Sequence, residues 1–116
     1  MEILEYQDIS VKLAPLLDAL SHPARLQILL HLARYNGCPA GSISEQLPLS
    51  KSTVSQHLAK LKEARIIIAT PDGPCQRYSL NHDILNELNL QYHSFIDSLH
   101  ELSRLKLDCP GACKKS

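Results

Sequence analysis

Polar and basic side chains that could meet DNA lie close together in residues 50–64, SKSTVSQHLAKLKEA. Amide, hydroxyl and imidazole groups can hydrogen-bond to base edges in a major groove, and lysines can contact phosphates. The groups of these kinds are Lys51, Ser52, Thr53, Ser55, Gln56, His57 and Lys60. They predict a DNA-reading face, although ordinary amphipathic surface helices also carry a polar face.

The same segment has the pattern of a helix that buries its other side. Ser50 predicts an N-cap, because its hydroxyl can accept an early backbone N–H. Val54, Leu58 and Leu61 then recur at i, i+4 and i+7 and form one apolar stripe. We therefore expect a helix that is held by the core on one side and presents the polar groups on the other.

The flanking elements predict a winged helix-turn-helix. Ser42 and Glu45 have the spacing of a capping box for a short helix over 42–47, and residues 48–50 form a tight break. Strands over 66–70 and 75–80 flank a Pro-Asp-Gly-Pro turn, which predicts a β-hairpin that carries a further phosphate-contacting cation, Arg77. The expected fold is mainly α with a small β-hairpin, in the order α-α-α-α-β-β-α.

The charge distribution supports this interpretation better than the total does. The chain has 12 basic and 12 acidic residues, and a net charge of zero is unusual for a nucleic-acid-binding protein. Residues 51–77 nevertheless contain five basic and two acidic residues, whereas residues 82–101 contain four acidic residues and no Lys or Arg. This pattern predicts modest, strongly salt-dependent DNA binding.

The two ends of the chain predict a dimerisation layer. A length of 116 residues predicts one domain over 1–104, followed by a flexible Cys-containing tail over 105–116. A homodimer through the first and last helices would bury their apolar stripes and favour an inverted-repeat operator, although the last stripe could instead fold back onto its own core. The stripes are Ile9, Leu13, Leu16, Leu17 and Leu20, and Leu85, Leu88, Tyr92, Phe95, Ile96, Leu99 and Leu102.

Other classes of protein lack support in the sequence. No apolar run approaches the ~18 residues of a membrane span, and no cleavable leader is visible, so we expect a cytoplasmic protein without membrane contact. Glycine-rich phosphate loops and nucleophile elbows are missing, which argues against an enzyme. The alternative is a winged-helix module that docks to protein through the same polar face, with a weaker response to salt.

Three motifs resemble those of one known family. Residues 17–29, LDALSHPARLQIL, are similar to the LxALxxPxRLxIL signature of the ArsR–SmtB repressors. Residues 50–61 resemble their recognition helix and residues 78–80 their wing exit, so the resemblance spans roughly 10–100. It implies a homodimeric winged-helix repressor that binds operator DNA and leaves it when an inducer, often a metal or metalloid, binds.

The metal sites known in that family do not match this chain. The CxC motif of the metalloid sensors is absent, because the matching stretch 39–42 reads PAGS, with Cys38 just outside it. The ligand spacing of the zinc and nickel sensors is absent as well. His93, Asp97 and His100 still fall on one helix face and could bind zinc across a dimer, or could simply be solvated.

The cysteines offer a different inducer site. Cys109 and Cys113 flank a Pro-Gly pair, and their thiols should be reduced in a cytoplasmic protein. With a third thiolate from Cys38, Cys75 or the other subunit, they would suit arsenite, antimonite, cadmium or copper(I). A redox-sensing disulfide between Cys109 and Cys113, or no small inducer at all, also remains open. Cys38 and Cys75 are otherwise interpreted as small packing residues.

Overall fold

The computed structural model describes residues 5–105 and 107–111. The first element of the fold is a long N-terminal helix. This helix, α1, has three consecutive parts: Tyr6–Asp8, a π-helical turn Ile9–Leu13, and Ala14–Leu20. Leu13 and Ala19 are buried on its inner side. The helix ends where the Ser21 hydroxyl donates to the carbonyl of Asp18.

Three shorter helices form the centre of the fold. They are α2 (Pro23–Arg34), α3 (Ala40–Gln46) and α4 (Lys51–Glu63). The predicted capping box is wrong, because α3 begins at Ala40, with extended Pro39 as its N-cap, and Ser42 already lies inside the helix. The helix starts there because the chain leaves a short strand at Pro39.

The sheet has three antiparallel strands in the order β1-β3-β2. They are β1 (Cys38–Pro39), β2 (Ile67–Asp72) and β3 (Cys75–Leu80). The predicted second hairpin strand is confirmed, whereas the first runs on to Asp72 because Pro71 and Asp72 pair with Gln76 and Cys75. Gly73, with a φ of +61°, supplies the left-handed conformation of the hairpin turn.

The last helix, α5 (His82–Leu105), is joined to the core through Asn81. The Asn81 side-chain amide donates to the carbonyl of Arg65 (2.9 Å), and its backbone N–H donates to that of Ile66 (2.9 Å). Leu85 and Leu88 pack against the core, and α5 contacts the π-helical turn of α1. The first and last helices therefore pack together, as the sequence predicts.

One apolar core joins the central helices to the sheet, and its fully buried centre includes Ile28, Ile43, Leu58, Leu61 and Ile66. The predicted fold class is confirmed: the described residues are mainly helical, with a small antiparallel hairpin between the fourth and fifth helices. In this part of the chain, no helix has the length and apolar character that a membrane crossing needs.

Candidate nucleic-acid interface

Helix α4, the predicted recognition helix, begins at a capped N-terminus. The Ser50 hydroxyl accepts a hydrogen bond from the Thr53 backbone N–H (3.2 Å) and donates one to the Thr53 hydroxyl (2.8 Å). Ser50 has an extended backbone, with φ of −72° and ψ of 159°, as an N-cap requires. The predicted cap is confirmed, and it fixes where the first turn of α4 starts.

The apolar side of α4 is fully inserted in the core. Val54, Leu58 and Leu61 are 0%, 2% and 0% exposed, as their spacing predicts. The preceding helix α3 packs against α4 and contributes buried Ile43. Because α3, a short turn and α4 are held by common buried residues, the rotation of α4 about its own axis is fixed.

The opposite side of α4 presents the predicted polar groups. The side chains of Thr53 and His57 are half-buried. Five others are exposed: Lys51, Ser52, Ser55, Gln56 and Lys60. Ser55 and Gln56 stand one turn past the cap, where the N-terminal part of a recognition helix reads base edges.

His57 packs against the first turn of α2. Its ring centroid lies 4.4 Å from that of His22, which caps α2 by accepting the Ala24 backbone N–H at Nδ1 (3.1 Å). Burial lowers the pKa of His57, and the nearby His22 and Arg25 side chains lower it further. These neighbours therefore favour the neutral form of His57, which can both donate and accept hydrogen bonds.

Two of the predicted phosphate-contacting cations already have partners within the chain. Lys60 Nζ lies 3.4 Å from a carboxylate oxygen of Asp18 in α1. Arg77 Nε donates to Asp72 Oδ2 (2.6 Å), and its Nη1 donates to the carbonyl of Gly37 (2.8 Å). The Asp72 carboxylate raises the pKa of Arg77 through this hydrogen bond and its charge. Sequence reasoning missed both acidic partners, because α1 and the wing tip meet these cations only after folding.

The predicted histidine and carboxylate set of α5 lies outside the core. His93, Asp97 and His100 are exposed, and His93 Nδ1 lies 3.1 Å from the Asn89 carbonyl. Over residues 5–105 and 107–111 of one chain, no three His, Cys, Asp or Glu side chains come together as a metal site would need. These residues therefore do not fit a metal ion within a single described chain.

The tail cysteines are described only in part. Cys109 is exposed, and its Sγ lies 3.6 Å from the Pro110 carbonyl. The other predicted tail ligand, Cys113, falls outside the described residues.

Cys38 has a more specific environment than its interpretation as a packing residue predicts. It is 7% exposed, its Sγ lies 3.6 Å from His31 Nε2, and it donates to the Tyr35 carbonyl (3.2 Å). These three residues line a cavity of about 190 Å³ together with Ser42 and Gln46. Burial raises the pKa of the Cys38 thiol, an effect that the charge of Arg77 opposes. No local pattern marks this pair, because His31 and Cys38 belong to different elements.

A capped helix that follows a tight turn and exposes polar groups beside a β-hairpin defines a winged helix-turn-helix protein. A family model described as "Helix-turn-helix domain" matches residues 20–68. The HTH-type transcriptional regulator YgaV of Escherichia coli is 34% identical over 75% of this chain and 88% of its own length. The arsenical resistance operon repressor of Staphylococcus xylosus is 32% identical over 67% of this chain and 74% of its own length.

Solved structures agree with these relatives. The ArsR-like transcriptional regulator from Rhodococcus sp. RHA1 superposes with a TM-score of 0.72 at 26% identity, covering 84% of this chain and 92% of that one. The chain belongs to the ArsR–SmtB family of winged-helix transcriptional regulators. Proteins of this family bind operator DNA and are not enzymes.

Proposed function

We propose that this protein is a homodimeric transcriptional repressor that reads an inverted-repeat operator with α4 and is released by a thiol-reactive inducer. The observation that carries the proposal is the capped α4, whose apolar side is buried while Ser55 and Gln56 are exposed beside Lys51. Hydroxyl and amide groups read base edges, and lysines contact phosphates. Action on DNA implies a cytoplasmic location.

An operator titration tests the reading face. Replacement of Ser55 and Gln56 together by Ala should weaken binding to the protein's own promoter by about tenfold or more, since one good base contact is worth ~1–3 kcal/mol. The matched control is Gln27→Ala, which removes the same amide from an exposed position of α2. Equal binding by all three proteins would refute the assignment of this face.

Salt dependence separates DNA binding from the alternative of protein docking. Log affinity for the operator should fall linearly with log salt, by about 0.9 per phosphate contacted. A docking module with balanced charge would respond much less. A flat salt profile would therefore favour the docking module.

The apolar surface of α5 supports the homodimer. Tyr92, Leu99 and Leu102 are 45%, 49% and 46% exposed in one chain. A two-fold axis that buries them would place two copies of α4 about one helical turn of DNA apart, as an inverted repeat requires.

The cysteines support thiol chemistry as the release signal. Cys109 is exposed, and Cys38, although burial raises the pKa of its thiol, has an imidazole within 3.6 Å and a cavity beside it. Cys38 pairs with Tyr78 of the wing strand β3, so an adduct that displaced β1 would also disturb the wing. An inducer of this kind acts only if the modified protein prefers the DNA-free conformation, because equal affinity for both conformations shifts nothing.

Cysteine variants bound to the operator test the inducer. Arsenite or a disulfide reagent should release the wild-type protein and the Cys75→Ser control, whose replaced thiol is exposed in the wing. Cys38→Ala should abolish this release if Cys38 is the sensor. The double variant Cys109→Ser with Cys113→Ser should abolish it if the tail cysteines are the sensor. Release of a variant without any of the four cysteines would overturn thiol sensing.

A further inference from the structure

Arg77 joins three separate segments of the chain. It lies in the central strand β3, opposite Thr70 of β2 on one side and Pro39 of β1 on the other. Its Nε donates to Asp72 at the wing tip, and its Nη1 donates to the Gly37 carbonyl, 40 residues earlier in the chain. The guanidinium thus connects the tip of the hairpin to the loop that leads into β1.

The Gly37 end of this bridge depends on an unusual backbone conformation. Gly37 has a φ of +71°, which L-residues rarely adopt. A Cβ built there would lie 3.8 Å from Arg77 Cδ and 4.0 Å from Arg77 Cβ, so the loop runs directly alongside the arginine side chain. The left-handed turn and the close approach together aim the Gly37 carbonyl at the guanidinium.

The Asp72 end limits what Arg77 can do for DNA. The two side chains are 52% and 58% exposed, so their ion pair alone adds little to stability. The pair does compensate the guanidinium charge, and a phosphate would have to compete with a carboxylate at 2.6 Å. The geometry of Arg77 therefore suits bridging better than phosphate binding.

We infer that Arg77 is a positioning residue, which fixes the angle of the wing relative to α4 and does not itself bind a phosphate. This inference rests on the proposed operator binding. A planar guanidinium can bridge two acceptors at fixed angles, whereas a lysine at the same position keeps the charge but cannot reproduce both hydrogen bonds. Since Gly37 precedes Cys38, the same bridge links the thiol cavity to the wing.

Operator titrations over a range of salt concentrations distinguish the two roles. If Arg77 positions the wing, Arg77→Lys and Arg77→Gln should both weaken operator binding by about fivefold or more, because each variant loses two hydrogen bonds. The slope of log affinity against log salt should then stay unchanged. If Arg77 instead binds a phosphate, Arg77→Lys should bind the operator nearly normally, and Arg77→Gln should reduce the steepness of that salt dependence by about 1. The second pattern would overturn the inference.

The Asp72 variant gives a result of opposite sign for the two roles. Asp72→Asn should weaken operator binding if the bridge positions the wing, and should strengthen it if the carboxylate merely competes with phosphate for Arg77. Glu63→Gln, at an exposed position at the end of α4, calibrates the effect of removing one negative charge. Binding of Asp72→Asn that is tighter than that of Glu63→Gln would overturn the inference.

Hydrogen exchange without DNA separates this inference from the proposed function. The backbone amides of Thr70, Asp72, Gly73 and residues 75–77 should exchange faster in Arg77→Gln than in the wild type, whether or not the protein binds an operator. Unchanged exchange would refute the positioning role alone. If exchange is faster but the wild-type protein fails to bind its promoter, the proposed operator function falls, and the role of Arg77 in DNA binding falls with it.

Discussion

The imidazole of His57 in the recognition helix lies against that of His22, with ring centroids 4.4 Å apart and planes tilted by 44°. His22 Nδ1 accepts the Ala24 backbone N–H, so this nitrogen carries no proton. The rings join the cap of α2 to the exposed side of α4, and Arg25 adds a positive charge nearby. Protonation of His57 would therefore place a charge in a partly buried site near the Arg25 guanidinium.

This contact predicts a pH-dependent stability. The pKa of His57 is lowered from its ordinary value of 6.5, chiefly by burial, so below about pH 6.5 the unfolded chain binds more protons than the folded one. The free energy of unfolding should therefore decrease as the pH falls from 6.5 through the lowered pKa of His57. Urea titrations at several pH values measure this slope.

Two histidine variants separate this contribution from general acid sensitivity. His57→Gln should flatten the profile below pH 6.5, because the titrating group is gone. His93→Gln, at an exposed position of α5, should leave the profile as it is in the wild type. The explanation fails if His57→Gln keeps the wild-type slope.

The Ser50 cap predicts a measurable loss of stability on truncation. Ser50→Ala removes the acceptor of the Thr53 N–H and should lower the free energy of unfolding by about 1 kcal/mol. Ser50→Asn retains a capping oxygen and should restore most of the loss. Denaturant unfolding checks both, with Ser103→Ala as the control for an exposed serine in a helix. Identical stability of the Ala and Asn variants would contradict the role of the cap.

The parts of the fold that local pattern determines could be predicted from the sequence. Helix α4 follows from one cap and three apolar residues at helical spacing, and the β-hairpin from a β-branched run, an Asp-Gly turn and the short segment after it. Strand β1 could not be predicted, because Cys38 and Pro39 alone carry no period and pair with Tyr78 and Arg77 far along the chain. The capping-box pattern of Ser42 and Glu45 was overridden by this pairing.

The exposed side chains of the candidate site followed from the sequence, but their partners did not. Helical spacing alone places Gln56 on the outer face of α4. The partners of Lys60 and Arg77, which are Asp18 and Gly37, come from other elements. The contact between Cys38 and His31 likewise forms only when β1 packs beside α2.

The cysteine environments predict an order of chemical labelling. Burial raises the pKa of the Cys38 thiol, and Cys38 is 7% exposed, whereas Cys75 and Cys109 are exposed. Since the thiolate is the nucleophile, iodoacetamide should label Cys38 more slowly than Cys75 and Cys109 at neutral pH. Peptide mass spectrometry follows the sites separately. Urea should equalise the rates, and labelling of Cys38 first would contradict this environment.

The pair of Asp18 and Lys60 predicts a variant that binds DNA more tightly. Asp18→Asn removes the carboxylate 3.4 Å from Lys60 Nζ and leaves the lysine free for a phosphate. The affinity for the operator should rise by about two- to fivefold at low salt, the range that an exposed ion pair allows. Asp8→Asn releases Lys12 in the same way within α1 and is the matched control. Equal affinities for the two variants would show that Lys60 does not contact DNA.

The exposed apolar residues of α5 predict how the dimer can be broken. Leu99 and Leu102 lie one turn apart and are 49% and 46% exposed in one chain, so replacing both with Glu would bury charges in a two-fold seam. In analytical ultracentrifugation the variant should have a mass near 12.9 kDa, whereas the wild type should have about twice that mass. Leu26→Glu with Leu30→Glu makes the same change on α2, and this control should stay dimeric because neither residue belongs to α1 or α5.

Operator affinity should collapse only in the α5 variant, since one recognition helix alone contacts half of an inverted repeat. An α5 variant that remains dimeric would move the interface away from α5, and a monomeric wild type would refute the homodimer.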